Sequence, residues 1–280
     1  FSYLVPANGF PSTVSIIDLQ GKLVKKLADL PSSETAPGGN DNVQNVARGF
    51  DWRDDEPATI VWCMPLDSGL IKKQAEYRDV VYSQSAPFTA APKELFKTKM
   101  RFRNVTWGDK NLALVTEGLT GKQTMQLDRY NSVTGDLEKL ISRNTTDAYS
   151  NPGFPLTAPN SFGKNVLITV DNGNKILFNN TTGSSPKGDL PFLLSYDVHT
   201  KKADTLWRCQ EGYYETIVRV LDPNKLTLIT RKESEKEMPN YWLKNLKLRV
   251  ADRQLTSFTN PYPQMEGVTK EKIRYKRADG

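Results

Sequence analysis

With one histidine in 280 residues, the chain has little with which to perform acid–base or nucleophilic catalysis. That imidazole, His199, stands in YDVHTKKADTL, where a polar run between two strand-like stretches marks a turn tip. A general base must lie in a pocket, within hydrogen-bond reach of the group that it deprotonates. A Ser-His-Asp device therefore has no base to build on, and no Gly-x-Ser-x-Gly, HExxH, P-loop or GxGxxG signature occurs in the sequence. Carboxylates are plentiful but unspecific. Asp54, Asp55 and Glu56 precede Pro57 as turn chemistry, and Arg231 to Glu237 alternates in sign like a solvated loop. Whether two carboxylates elsewhere face one another as an acid–base pair is a three-dimensional matter that spacing does not decide. Cys63 and Cys209 match no metal-ligand spacing and read as two buried, unpaired thiols inside strands, so neither a metal nor a cofactor is expected. Asn104, Asn144 and Asn180 each open an N-x-Thr triplet, a pattern short enough to arise by chance.

The elements that must carry these residues announce themselves by repetition. IIDLQGKLVKKL, YNSVTGDLEKL and YDVHTKKADTL each run strand, polar turn, strand. In each an Asx residue (Asp18, Asn131, Asp197) leads, nine positions on, to a leucine (Leu27, Leu140, Leu206). The Asx side chain can hydrogen-bond its own turn backbone, and the leucine returns to the apolar face. One such hairpin cannot bury its face alone, so several in a row imply stacked sheets.

Composition narrows the class further. A 38% hydrophobic and 10% aromatic content is too apolar for a disordered tail. No run approaches the ~18 apolar residues of a membrane span, and FSYLVPANGF lacks the basic region and apolar core of a signal peptide. The formal charge of +6 raises nucleic acid as a partner, but the cations cluster in turns (Lys72, Lys73, Lys201, Lys202) and from Lys270 to Arg277, without an aromatic-plus-basic recognition motif. Solvated hairpin tips explain them better, so no nucleic acid is expected.

Along its length the chain reads as units of about four strands. A first hairpin over Val14 to Leu30 lacks its earlier strands. GFDWRDDEPATIVWCMP with RDVVYSQSAPFTAAPKELF forms the next unit, and RFRNVTWGDKNLALVTEG opens another that ends around Gly135. NVLITV, KILFNNTTG and PFLLSYDVHTKKADTLW make a further unit. TIVRVLDPNKLTLITRKE with NYWLKNLKLRVADRQLTSF makes the last, in which the Asx is expected to be lost. Four nearly complete units and one half unit recur about every 45 to 65 residues, which suits an all-β propeller of four-stranded antiparallel blades better than a β-sandwich.

The strings GFDWRDDEPATIVW, EYRDVVYSQSAPF, ELFKTKMRFRNVTWGDKNLALV, SRNTTDAYSNPGFPL, YYETIV and NPYPQMEGVTKEKIRYKRADG, in this order, resemble the propeller of the prolyl oligopeptidase family of serine peptidases, in its glutamyl-peptidase-like branch. The resemblance implies a partial propeller over residues 1–266, drawn from a ring of seven or eight blades. It implies that residues 267–280 begin a strand leading into an α/β-hydrolase domain absent from this chain. It also implies a non-catalytic role, gating access of peptide substrates to that hydrolase partner, in a periplasmic or secreted setting. Within such a propeller, GFDWR, RNVTWG and TIVRVL would be innermost strands, placing Arg53, Arg103 and Arg219 near a tunnel or rim where a guanidinium fork could pair acidic peptides. The bland reading pairs these arginines with Asp54, Asp55 or Glu215. A free-standing propeller that binds protein or carbohydrate is the alternative.

Overall fold

In the computed structural model, the described residues are 3–248, 250–265, 267, 268, 271, 273 and 275–279. β1 (Ser12–Ile17) and β2 (Leu23–Leu30) form an antiparallel pair. β3 (Arg48–Trp52), β4 (Thr59–Pro65), β5 (Asp79–Ser85) and β6 (Lys93–Thr98) form a four-stranded antiparallel meander. β7 (Arg101–Asp109), β8 (Leu112–Leu119), β9 (Thr124–Tyr130) and β10 (Leu137–Asn144) repeat it. The middle strands are rich in β-branched and aromatic residues and are buried on both faces, as in LALVTEGL of β8. Such residues need a sheet packed on each side. The fold is thus all-β, built of propeller-type four-stranded sheets. Among the described residues, no helix is long and apolar enough to cross a membrane.

The third sheet departs from the sequence reading. NVLITV is not one strand: it divides into β13 (Asn165–Leu167) and β14 (Thr169–Val170). The first-strand position of this sheet is shared by β11 (Phe154–Pro155) and β14, both paired to β15 (Lys175–Asn180), and β15 continues to β18 (Phe192–Asp197) and β19 (Ala203–Arg208). Between β11 and β14, the hairpin of β12 (Thr157–Pro159) and β13 leaves the sheet and packs on β7. A short hairpin, β16 (Ser184–Ser185) with β17 (Gly188–Asp189), follows β15. The last sheet is β20 (Tyr213–Asp222), β21 (Thr227–Ser234), β22 (Asn240–Asn245) and β23 (Arg253–Gln254).

The chain forms two compact units, residues 1–151 with 157–168, and residues 152–156 with 169–280. In the first, Val81, Phe96, Trp107, Val115 and Tyr130 form one apolar cluster shared by two sheets, with Phe96 and Tyr130 ring centroids 4.6 Å apart. Ile16 packs the β1–β2 pair onto Ile60 and Phe88. In the second, Ile176, Leu177, Phe178 and Leu193 are almost wholly buried. The strand expected over 267–280 falls partly on residues 269, 270, 272, 274 and 280, which lie outside the described residues.

The recurring hairpin uses one device, an Asx capping its own turn, in a shorter form at Asp18 and a form one residue longer at Asn131 and Asp197. Asp18 Oδ1 accepts from the backbone N–H of Gln20 and Lys22, Asn131 Oδ1 from Val133 and Thr134, and Asp197 Oδ1 from His199 and Thr200, all at 2.8 to 3.2 Å. The Asx of the last sheet is not lost. Asn245 Oδ1 accepts from Lys247 and Leu248 at 3.0 and 2.7 Å, and only the leucine spacing has gone. The spaced leucines share an equally specific role. Leu27, Leu140 and Leu206 are each skipped by the pairing register, so each is the extra residue of a β-bulge in its sheet's outer strand. Leu95 holds the same place in β6.

Candidate functional site

Arg53 directly follows β3, its own N–H donating to Thr59 O at 2.8 Å. Its side chain turns inward until the residue is only 5% exposed. The guanidinium forks onto Asp55 through Nε at 3.0 Å and Nη2 at 2.7 Å, reaches Glu56 at 3.1 Å, and lies 4.0 Å above the Trp107 ring. It borders a cavity of about 370 Å³ together with Glu56, Gln84, Lys93 and Ser132. Two carboxylates already meet this cation, and its bidentate edge is occupied. Arg53 therefore ties the β3 end to β7 and has no open fork to offer an acidic peptide.

Arg103 is the bulged residue of β7 and half exposed. It reaches Thr120 Oγ1 at 2.9 Å and Asp41 at 3.3 Å, while Asp41 also accepts the N–H groups of Thr120 and Gly121 at 2.7 and 2.8 Å. Trp107, beneath Arg53, lies four residues farther along β7, roughly 13 Å at strand rise, so the two guanidinium groups stand toward opposite ends of the strand. Arg219, on β20 of the other compact unit, is exposed and forms no ion pair among the described residues. Glu215, a suggested partner, instead accepts from Thr230 at 2.6 Å and pairs with Lys244 at 3.2 Å. Of the three arginines, Arg219 alone presents an unpaired guanidinium. His199 sits at the exposed tip of its hairpin, as its segment predicts.

Two buried polar groups in the first unit were not readable as sites. One is an ion cluster: Arg101, 1% exposed, reaches Asp67 at 2.7 Å and Asp79 at 3.1 Å, both carboxylates being wholly buried. Arg78 adds a second cation to Asp67, and Arg48 a second to Asp79. Every carboxylate oxygen has a donor, because Gly69 N–H and Phe102 N–H complete the set. With its carboxylates filled, the cluster positions the crossover into β7 and offers a ligand no open acceptor; the one unfilled group is Arg48 Nη1, buried without a partner.

The other is a pair of acids on the floor of a cavity of about 700 Å³, walled by β6 on one side and β10 on the other. Glu117 on β8 and Asp128 on β9 are each 2% exposed. Gln126 Nε2 donates to Glu117 Oε1 at 2.8 Å and to Asp128 Oδ1 at 2.7 Å, and Met100 N–H donates to Glu117 Oε2 at 2.8 Å. Burial raises the Asp128 carboxyl to about 6, with the neighbouring Glu117 charge adding to the rise. Burial also raises Glu117, against the pull of the Met100 N–H. The signal for this pair was a glutamate inside LALVTEGL, a run otherwise too apolar to face water.

The thiols are free and buried. Cys63 lies in β4, and Cys209 just beyond β19 rather than inside a strand. Burial pushes the Cys63 thiol up to about 12. Among the described residues, no group of three metal-ligating side chains occurs.

Comparison with known proteins returns the same relation as the motifs. The chain is 32% identical over 295 residues to a probable chloroplastic glutamyl endopeptidase of Oryza sativa subsp. japonica, and 33% identical over 297 residues to its counterpart in Arabidopsis thaliana. Both alignments cover the whole chain but only 31% of the relative. No family model matches. Among solved structures, the β-propeller domain of the Trilobed protease of Pyrococcus furiosus overlaps 88% of this chain and 64% of its own, at 11% identity and a TM-score of 0.43. The likeness to glutamyl-endopeptidase-like proteins therefore extends from end to end of the chain.

Proposed function

We propose, for a chain related end to end to part of the glutamyl endopeptidases, that it is the non-catalytic propeller portion of a serine peptidase of the prolyl oligopeptidase family. In this reading the hydrolysing residues reside in an α/β-hydrolase domain elsewhere in the parent, and residues 267–280 lead toward it. The propeller limits which peptides reach that domain. The observation that carries this is the alignment itself, which spans all of this chain but 31% of each relative. The chemistry agrees, since the sole imidazole is held at a hairpin tip by the Asp197 turn, where no nucleophile can be seated beside a buried base. Arg219, exposed and without a carboxylate partner among the described residues, is the one of the three arginines best able to meet an acidic peptide.

A fluorophosphonate probe tests the assignment directly. The full-length parent should be labelled and should cleave short peptides after glutamate, whereas the 280-residue chain should neither label nor cleave. Labelling of the isolated chain would overturn the reading. Arg219→Ala in the parent should weaken KM for acidic peptides severalfold while leaving kcat nearly unchanged, as loss of uniform binding does. A periplasmic or secreted setting belongs to the same proposal, and fractionation of cells expressing the parent checks it.

A further inference from the structure

Glu117 and Asp128 take no part in the side-chain pairings of the arginines nominated for peptide recognition, and their geometry poses its own problem. Asp128 Oδ2 is buried without any hydrogen-bond donor, while Oδ1 has one from Gln126. An unpaired, ionised carboxylate oxygen in such a place is strongly disfavoured. In the packed arrangement that oxygen is shielded from solvent, so a water or a metal ion is poorly placed to satisfy it. A proton can. Glu117, joined to Asp128 through the shared Gln126 Nε2 and bearing on it by charge and side-chain contact, is the acceptor at hand.

We propose that Glu117 and Asp128 hold one proton between them and act as a pH-operated clasp on the crossover from the sheet of β3–β6 to the sheet of β7–β10. The other oxygen of Glu117 accepts the N–H of Met100, which lies in the two-residue connection between β6 and β7. With the proton held on Asp128, the O–H points to Glu117 and one negative charge serves both. When the proton passes to bulk water, two like charges face each other on adjacent strands, and the pair relaxes by parting toward the cavity between β6 and β10. Glu117 is then drawn off the Met100 N–H. The surrounding charges do not prevent this. Lys139 from β10 favours ionised Asp128, and Lys99 from the crossover favours ionised Glu117. Asp79 from β5 opposes ionisation of Glu117. On β6, Lys97 is paired with Glu94 at 3.2 Å, and Tyr77 lines the same cavity.

The sign follows from linkage. Both carboxyls are raised in the folded state, so the native protein binds more protons than the unfolded chain between their unfolded values, near 4, and the folded value of about 6. Stability therefore falls as pH rises through that window and is level above it. Carboxyl ¹³C NMR of the unmodified chain is the primary test. The pair should titrate together, with one step near 6, and a titration of both groups completed below about 4.5 overturns the proposal. Hydrogen exchange at Met100 reads the clasp. After correction for intrinsic base catalysis, protection should drop roughly tenfold between pH 5 and 7.5, and Asp128→Asn, whose amide donates to Glu117 at any pH, should abolish the drop. A proton that is held while Met100 protection stays pH-independent would refute the clasp. Should Asp128→Asn fail to fold, Glu117→Gln, which keeps an acceptor for Met100, serves in its place.

Discussion

Arg53 illustrates how far single residues could be read. Its basic character near a strand end was legible, and so was Asp55 as a partner, but its place over the Trp107 ring was not, since it depends on contact between the ends of β3 and β7. Removing it leaves Asp55, itself 6% exposed, without its cation. Arg53→Ala should therefore lower unfolding free energy by about 3 kcal/mol in urea titrations. Arg53→Lys should recover only part of that, because a lysine cannot fork onto Asp55 and stack on Trp107 together. The Cys63 thiol, pushed up to about 12, should resist iodoacetamide at pH 8 until the chain unfolds. Labelling of Cys63 in the native protein at the rate of a free thiol would contradict its burial in β4.

At the scale of elements, the spacing from Asx to leucine was visible while its meaning was hidden. A bulge is a property of two strands in register, so Leu140 could be noticed in the sequence but not known as the residue that β9 skips. Insistence on that spacing also concealed Asn245, whose ninth following residue is Gln254. The turn itself makes two predictions. Asn131→Ala should cost about 1 kcal/mol, since two backbone N–H groups lose their acceptor. Gly135 and Lys201, each four residues after the Asx, hold the same left-handed position, at φ 80° and 57°, as does Gly21 at 81° in the turn of Asp18, which is one residue shorter. Lys201→Gly should therefore stabilise by about 0.5 kcal/mol, steric relief outweighing the entropy that glycine adds to the unfolded chain. A lower melting temperature for that variant would show that the lysine side chain contributes more than its backbone costs.

For the whole molecule, the class and the count of sheets were legible because hairpins recur at sheet intervals. The path of the third sheet was not, because NVLITV has the composition of a strand and nothing in it marks Ile168 as the break. The β1–β2 pair carries the Asx turn and the bulge of an outer pair, yet no described strand lies on the other edge of β1. Ile17 occupies the position before the Asx that Tyr130 and Tyr196 fill elsewhere. Those tyrosines are 1% and 6% exposed, and Ile17 is 60% exposed. An open edge with an apolar face favours strand addition. The isolated chain should associate with rising concentration in analytical ultracentrifugation, and Ile17→Lys should reduce that association while leaving the circular dichroism of a β-rich, helix-poor protein intact.

The hairpin of β12 and β13 gives the molecule a schedule as well as a shape. Its receiving strand, β7, precedes it by some fifty residues, and at Gly108 of that strand even a methyl group would come within 3.3 Å of the Leu167 side chain and 2.6 Å of a backbone oxygen. On a ribosome, β7 therefore emerges and closes its sheet before the hairpin arrives. β11 and β14, by contrast, emerge from the exit tunnel ahead of β15, the strand that pairs with both. During synthesis, then, the hairpin can dock at once while its two flanks wait, and a pause in translation about 30 residues beyond Val170, with β14 outside the tunnel and β15 still within it, would hold the nascent chain with its third sheet begun and unpaired.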